Sequence, residues 1–239
     1  MNLPPRVRRL LGCWRRCACE AIGIRRYSRP ALDGLDWQLE QYVDFDGGFF
    51  VEAGANDGVM QSNTYYLERF RGWTGLLIEG IPSLAKQCRK NRPRSTVVQA
   101  ALVEAARPGD TVEMHYAGLM SAVAGAMDGV GDTDAHVRHG LEIQGIKNTY
   151  IVRVPARTLT DVIQQHRPEG NIDLLSLDVE GMETQVLRGL DFSRYAPHFL
   201  CIEARRIEEI KAVLGDRYVL RAVLADKGSR QDLLFQSVI

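Results

Sequence analysis

Apolar runs of strand length recur along the chain, and most are followed by a stretch whose apolar positions return every three or four residues. That is the pattern of strands alternating with helices. Phe49-Phe50-Val51-Glu52-Ala53 is the first run, launched by the turn Asp46-Gly47-Gly48. A helix is expected from about Ser62 to Phe70, with Ser62, Asn63 and Thr64 suited to cap it. Strand 74–79, helix 83–91 and strand 95–102 complete a first half. Helix 158–166, strand 172–178, helix 182–190, strand 198–203, helix 206–214 and strands 217–224 and 232–238 form a second. The first five strands alternate with helices and are expected to be parallel. The last two are joined only by Ala225–Gln231, so they form an antiparallel pair. The expected fold is α/β: a doubly wound, mostly parallel seven-stranded sheet closed by an antiparallel C-terminal hairpin.

A final hairpin on such a sheet departs from a plain dinucleotide fold and points to the Rossmann-like class I methyltransferase fold. Residues 35–239 are expected to form that domain, opening on a short helix at Leu35–Val43. Between about 105 and 155 the rhythm loosens. Strands are expected at 111–116 and 149–154, around an Ala- and Gly-rich run to Gly131 without a period. An insertion there reads as a lid over the carboxyl ends of the strands, where ligands of open α/β sheets bind. The plainer reading is a loop joining the two halves.

Charge changes the picture at the amino terminus. The chain of 239 residues has a net charge of zero, yet its first 30 residues hold eight arginines against one acid, Glu20. Such asymmetry argues against a broad nucleic-acid-binding face on the domain and concentrates anion attraction in a leader over 1–34. Val7, Leu10, Leu11, Trp14, Cys17, Ala18 and Ala21 recur there at helical spacing with arginines between them. This is a basic amphipathic helix of the kind that lies on an anionic membrane surface; packing on its own domain is the plainer reading. Apolar runs are too short to span a bilayer and too interrupted for a secretory signal. The expected location is therefore cytoplasmic, with peripheral contact at the inner membrane face through residues 1–30. Five cysteines give no paired framework and fit reduced thiols. Cys13, Cys17 and Cys19 lack a downstream ligand pair, so no zinc site is expected there; the clustered acids permit a divalent metal, but no His and Asp/Glu spacing singles out a metal site.

The candidate chemistry begins where the first strand ends. Gly54 opens a turn in which backbone N–H groups can meet a ligand without a Cβ in the way. Glu79 closes the second strand, where an acid accepts both hydroxyls of a ribose. A nicotinamide or flavin site would want Gly-x-Gly-x-x-Gly, whereas the chain reads Gly54-Ala55-Asn56-Asp57-Gly58. Asn56 tolerates the left-handed backbone such a turn needs. Glu52 is placed either to meet the amino-acid part of S-adenosylmethionine or to brace the turn. Asn63 is a second candidate for that region, with helix capping as its alternative, and Ala100 and Ala101 would flank an adenine. Trp73, without a neighbouring aromatic face, reads as core.

With these motifs the chain resembles the FkbM-type methyltransferases. The likeness runs through Val51–Gly58, Ser62-Asn63-Thr64, Leu67-Glu68, Gly72–Glu79, Ile172–Glu183, Val186–Phe192, Ile202-Glu203 and Asp232–Phe235. It spans roughly 48–238, leaves the leader uncovered, and departs mildly at Gly80. It implies an S-adenosylmethionine-dependent O-methyltransferase acting on a hydroxyl of a saccharide, glycolipid or related natural product. The expected cofactor-binding set is Glu52, Gly54, Asn56, Gly58, Asn63, Glu79, Ala100 and Ala101. In Asp178-Val179-Glu180-Gly181-Met182-Glu183, Asp178 or Glu180 is the candidate general base, and Glu183 an N-terminal helix charge. Glu203 is a weaker candidate to face the acceptor. A histidine base from His115, His136 or His139, a non-catalytic binding protein on a degenerate methyltransferase fold, and a nicotinamide-dependent oxidoreductase stand as the rival readings.

Overall fold

A computed structural model describes residues 5–123, 133–144, 149–167 and 169–238. Chain order begins with helices α1 (Pro5–Ala21) and α2 (Leu35–Glu40), then β1 (Phe49–Ala53), α3 (Tyr65–Phe70), β2 (Thr74–Ile78), α4 (Pro82–Asn91) and β3 (Thr96–Val98). Next come β4 (Ala101–Leu102), β5 (Thr111–His115), β6 (Ala122–Val123), α5 (Thr133–Gln144) and β7 (Ile151–Arg157). The chain closes with α6 (Leu159–His166), β8 (Leu174–Leu177), α7 (Glu183–Arg188), β9 (Phe199–Ala204), α8 (Ile207–Leu214), β10 (Tyr218–Asp226) and β11 (Gln231–Ser237).

The seven-stranded sheet has the order β10-β11-β9-β8-β1-β2-β3. The five strands β3, β2, β1, β8 and β9 are parallel, and β11 lies antiparallel between β9 and β10. From β1 the chain first builds outward through β2 and β3, then returns to lay β8 and β9 on the other side. The order thus reverses beside β1, and at such a switch point the strand ends open a crevice.

Alternation along the strands feeds a separate core on each face. Val51, Ala53, Leu76, Leu175 and Leu177 pack with Leu159, Ile163, Val186 and Leu187 from α6 and α7. Phe50, Leu77 and Leu174 pack on the opposite face with Leu35, Leu39, Trp73 and Cys88. Trp73 is fully buried, as expected, but it does have an aromatic neighbour. Its ring lies 5.0 Å from that of Phe45, and its indole N–H donates to the Phe45 carbonyl at 2.9 Å.

The expected strand at 95–102 is two strands. β3 stays in the main sheet, whereas β4 leaves it to pair with β7, Ala101 opposite Ala156. β4, β7, β5 and β6 form a second sheet that carries the described part of the 105–155 insertion. The Ala- and Gly-rich run at 124–132 lies outside the described residues. Among the described residues no helix is long and apolar enough to cross a membrane.

Candidate active site

The crevice beside β1 is a cleft of about 900 Å³ counting its open mouth. Its floor is the carboxyl ends of β1, β2 and β8, and its sides are the turn 60–63, residues 100–102, and Met114, Gly118, Ser121 and Val123 of the insertion. The glycine turn and Glu79 therefore face one cavity, as the sequence required.

Gly54 is what lets the floor close. It sits at φ +84°, and a Cβ there would fall 1.7 Å from the carbonyl oxygen of Asp178, so the ends of β1 and β8 lie side by side only around a glycine. Asn56 adopts the left-handed conformation at φ +49°. Its backbone N–H donates to Glu79 Oε2 at 2.8 Å, and its side-chain amide donates to the Gly118 carbonyl at 3.4 Å. Glu79 Oε1 accepts from the Ile81 N–H at 2.7 Å. Burial pushes this carboxyl up to about 7, against those N–H bonds, and the nearby Asp57 adds to the rise.

Glu52 braces the turn. One oxygen accepts from the Asn63 N–H at 3.1 Å, and the other from the hydroxyls of Ser62 at 2.9 Å and Thr64 at 2.5 Å. Arg92, buried just past α4, completes the arrangement. It donates to Glu68 at 2.7 Å, to the Gly58 carbonyl and Ser62 Oγ at 3.0 Å each, and to Thr64 Oγ1 at 2.9 Å; it lies 3.5 Å from Glu52. Gly58 belongs to this support and does not line the cleft; at φ +81° its missing Cβ leaves room for Arg92 and Cys88.

Asn63 lines the cleft with one unmet need. Its Nδ2 donates to Ser176 Oγ at 3.0 Å, while its buried Oδ1 has no hydrogen-bond partner. A buried acceptor without a donor is costly, and a ligand ammonium or amide would satisfy it. Ser176 was not anticipated; a serine inside the apolar run Leu174-Leu175-Ser176-Leu177, in register beside Glu52, was the available signal. Ala100 and Ala101 line the cleft.

The acidic run divides by role. Glu183 accepts the N–H groups of Val179 and Gly181 at 3.1 and 3.0 Å, which ties down the turn ahead of α7. It does not line the cleft. Glu180, at φ +53°, lines it with its carboxylate 3.1 Å from Arg205, and Arg205 also reaches Glu203 at 3.4 Å. Arg230 pairs with Glu203 at 3.1 Å. Asp178 opens onto the cleft, and among the described residues no side chain pairs with its carboxylate. The surrounding protein and then the charges of Glu203, Glu180, Glu183 and Asp232 push its pKa well above the carboxylate range. Because the side chain is open rather than covered, water entering the mouth tempers that rise.

His115 is half-buried on β5 and His139 exposed on α5; neither lines the cleft. The side chain of His136 lies outside the described residues. Among the described residues no group of three or more His, Cys, Asp or Glu is arranged to hold a metal ion.

A family model described as a methyltransferase FkbM domain matches residues 52–229. No curated protein sequence matches the chain. Among solved structures, a TehB-like SAM-dependent methyltransferase from Corynebacterium glutamicum is 13% identical with a TM-score of 0.45, over 98% of this chain and 100% of that one. An O-methyltransferase from Bacillus cereus in complex with S-adenosylhomocysteine is 13% identical with a TM-score of 0.46, over 95% and 90%. Fibrillarin from Aeropyrum pernix, with natively bound S-adenosylmethionine, is 12% identical with a TM-score of 0.44, over 81% and 67%. Likenesses this loose say nothing about an acceptor. With the family match covering most of its length, the chain belongs to the FkbM-domain methyltransferases and is an S-adenosylmethionine-dependent methyltransferase with the class I fold.

Proposed function

We propose that this methyltransferase acts on oxygen, modifying a hydroxyl of a saccharide, glycolipid or related natural product, with Asp178 as the general base. Bound S-adenosylmethionine supplies an electrophilic methyl group. What the protein must add is a held hydroxyl and a place for its proton. The observation that carries the reading is the Asp178 carboxylate, which opens onto the cleft beside Gly54 without a pairing cation and has a raised proton affinity. A carboxylate with that affinity can take a proton from an alcohol as its oxygen attacks. Glu180, already committed to Arg205, is the weaker base and fits a role in positioning the acceptor.

On this reading Glu79 accepts the ribose hydroxyls, and the unpaired Asn63 Oδ1 accepts from the ammonium of the amino-acid part. Backbone around Gly54 and Asn56 approaches the ligand closely, Ala100 and Ala101 flank the adenine, and Glu52 holds the turn that carries Asn63. The insertion, with Met114, Gly118, Ser121 and Val123 on the cleft wall, forms the lid and selects the acceptor.

The test is methyl transfer from radiolabelled cofactor to a panel of sugars and glycolipids. The expected result is product with the wild type and a drop in kcat of roughly 10²- to 10⁴-fold in Asp178→Asn, with affinity for S-adenosylhomocysteine retained. Transfer to amines but not to hydroxyls, or full turnover by Asp178→Asn, would sink the proposal.

A further inference from the structure

The α1 helix is held to the domain by the wrong face for a water-soluble helix. Its one acid, Glu20, is buried and accepts from Ser28 Oγ at 2.8 Å, from the Tyr65 hydroxyl at 2.9 Å and from Arg69 Nε at 3.0 Å, with Arg16 3.7 Å away. Arg16 also lies over the Tyr65 ring, at 5.3 Å from its centroid. Among the described side chains, the contacts of α1 with the body of the protein are therefore polar. At 3.6 residues per turn, Val7, Leu11, Trp14, Ala18 and Ala21 fall within about 40° of one line along α1, while Arg16 and Glu20 lie opposite. That apolar line faces solvent. Leu11 is 54% and Trp14 76% exposed, and Ile22, just past the helix, is 74% exposed.

We propose that this face is a docking surface for an anionic lipid bilayer. An apolar line left open by a helix whose polar side is already fastened needs an apolar partner, and charge selects which one. The first 30 residues carry eight arginines, and their single acid is consumed in the anchor. Arg15, Arg25 and Arg26 are exposed, and each guanidinium lies over an aromatic ring, Tyr27 for Arg15 and Arg26 and Phe70 for Arg25. Arginine borders around an apolar strip with an exposed tryptophan suit a helix lying in the headgroup region, its apolar side at the acyl boundary and its guanidinium groups on lipid phosphates. A nucleic acid would answer the charge and leave Leu11 and Trp14 in water. The inference does not depend on the acceptor or on the general base.

Co-sedimentation of the full chain with vesicles tests it, comparing phosphatidylcholine alone with phosphatidylcholine containing phosphatidylglycerol. The expected result is at least about tenfold stronger partitioning onto the anionic vesicles, reduced by added salt. Leu11→Asp and Trp14→Asp together should abolish it while leaving thermal unfolding and S-adenosylhomocysteine binding unchanged, because both side chains are exposed and far in sequence from the cleft residues. Equal binding to both vesicle types, or anionic binding untouched by the double substitution, overturns the proposal. A concentration-dependent dimer without lipid that the double substitution dissolves would assign the face to a second copy instead, and retention on a single-stranded oligonucleotide without vesicle binding would assign it to nucleic acid; either refutes the bilayer.

Discussion

Cofactor affinity is expected to titrate with Glu79. Its carboxyl is pushed up to about 7 because burial outweighs the two backbone N–H bonds it accepts. A ribose whose hydroxyls donate to Glu79 needs the carboxylate form, so binding expels whatever proton the carboxyl retains. With a pKa of about 7, roughly one molecule in eleven is ionised at about pH 6 and ten in eleven at about pH 8. Affinity for S-adenosylhomocysteine should thus rise about tenfold over that interval and level off above it. The same shift acts on folding. The folded carboxyl holds its proton above the ordinary value of 4.5, so it contributes stability that is fully present below 4.5 and lost as pH rises through about 7. The amount is on the order of 3 kcal/mol. Calorimetry in two buffers of different ionisation heat reads both the affinity and the proton release, which should be about half a proton near pH 7. Asp178 on the cleft and Glu203 behind Glu180 also have raised pKa values, so Glu79→Gln is the discriminating control. It should bind more weakly and lose the dependence. A flat profile in the wild type, or the same slope in Glu79→Gln, would refute the assignment of Glu79 to the ribose.

Gly54→Ala places a Cβ where the Asp178 carbonyl already sits and an alanine at φ +84°, so the ends of β1 and β8 must part by more than an ångström. Displacement on that scale should cost about hundredfold in turnover, and wild-type kinetics would show that the floor tolerates opening. Arg92→Leu leaves Glu52 and Glu68 buried without their shared cation. Urea unfolding should show a loss of about 3–5 kcal/mol, and a loss below about 1 kcal/mol would mean that the turn does not depend on the guanidinium.

The succession of strands was legible because each carries its own signal: an apolar run, a bounding glycine, a following helical period. Where partners are remote in sequence the signal failed. Residues 95–102 read as one strand, yet Ala101 finds its partner in Ala156, 55 positions away, and nothing local to Gln99-Ala100 announces the exchange. The helix expected from Ser62 starts at Tyr65 because Glu52, on a neighbouring strand, claims the hydroxyls of Ser62 and Thr64 and the N–H of Asn63. Ser62 Oγ still receives the Tyr65 N–H at 3.1 Å, although the residue at the helix boundary is Thr64, whose own side chain makes no capping bond. In the candidate site, Gly54, Asn56 and Glu79 were readable because turn geometry and strand ends restrict which residues can stand there. Arg92 was invisible. An arginine at the end of a basic helix looks like surface charge until the fold brings two acids from other elements to it.

That buried guanidinium also decides which side of the cleft can move. Arg92 ties the carbonyl of Gly58 and the hydroxyls of Ser62 and Thr64 to Glu68 on α3, so this flank cannot swing out without exposing an arginine and two glutamates at once. The amide protons of Asn63 and Thr64, which donate to Glu52 and to Ser62 Oγ, should therefore exchange far more slowly than that of Gln61 on the open cleft wall. The opposite flank, with Met114, Gly118, Ser121 and Val123, has no such guanidinium tie among the described residues and rests on the second sheet.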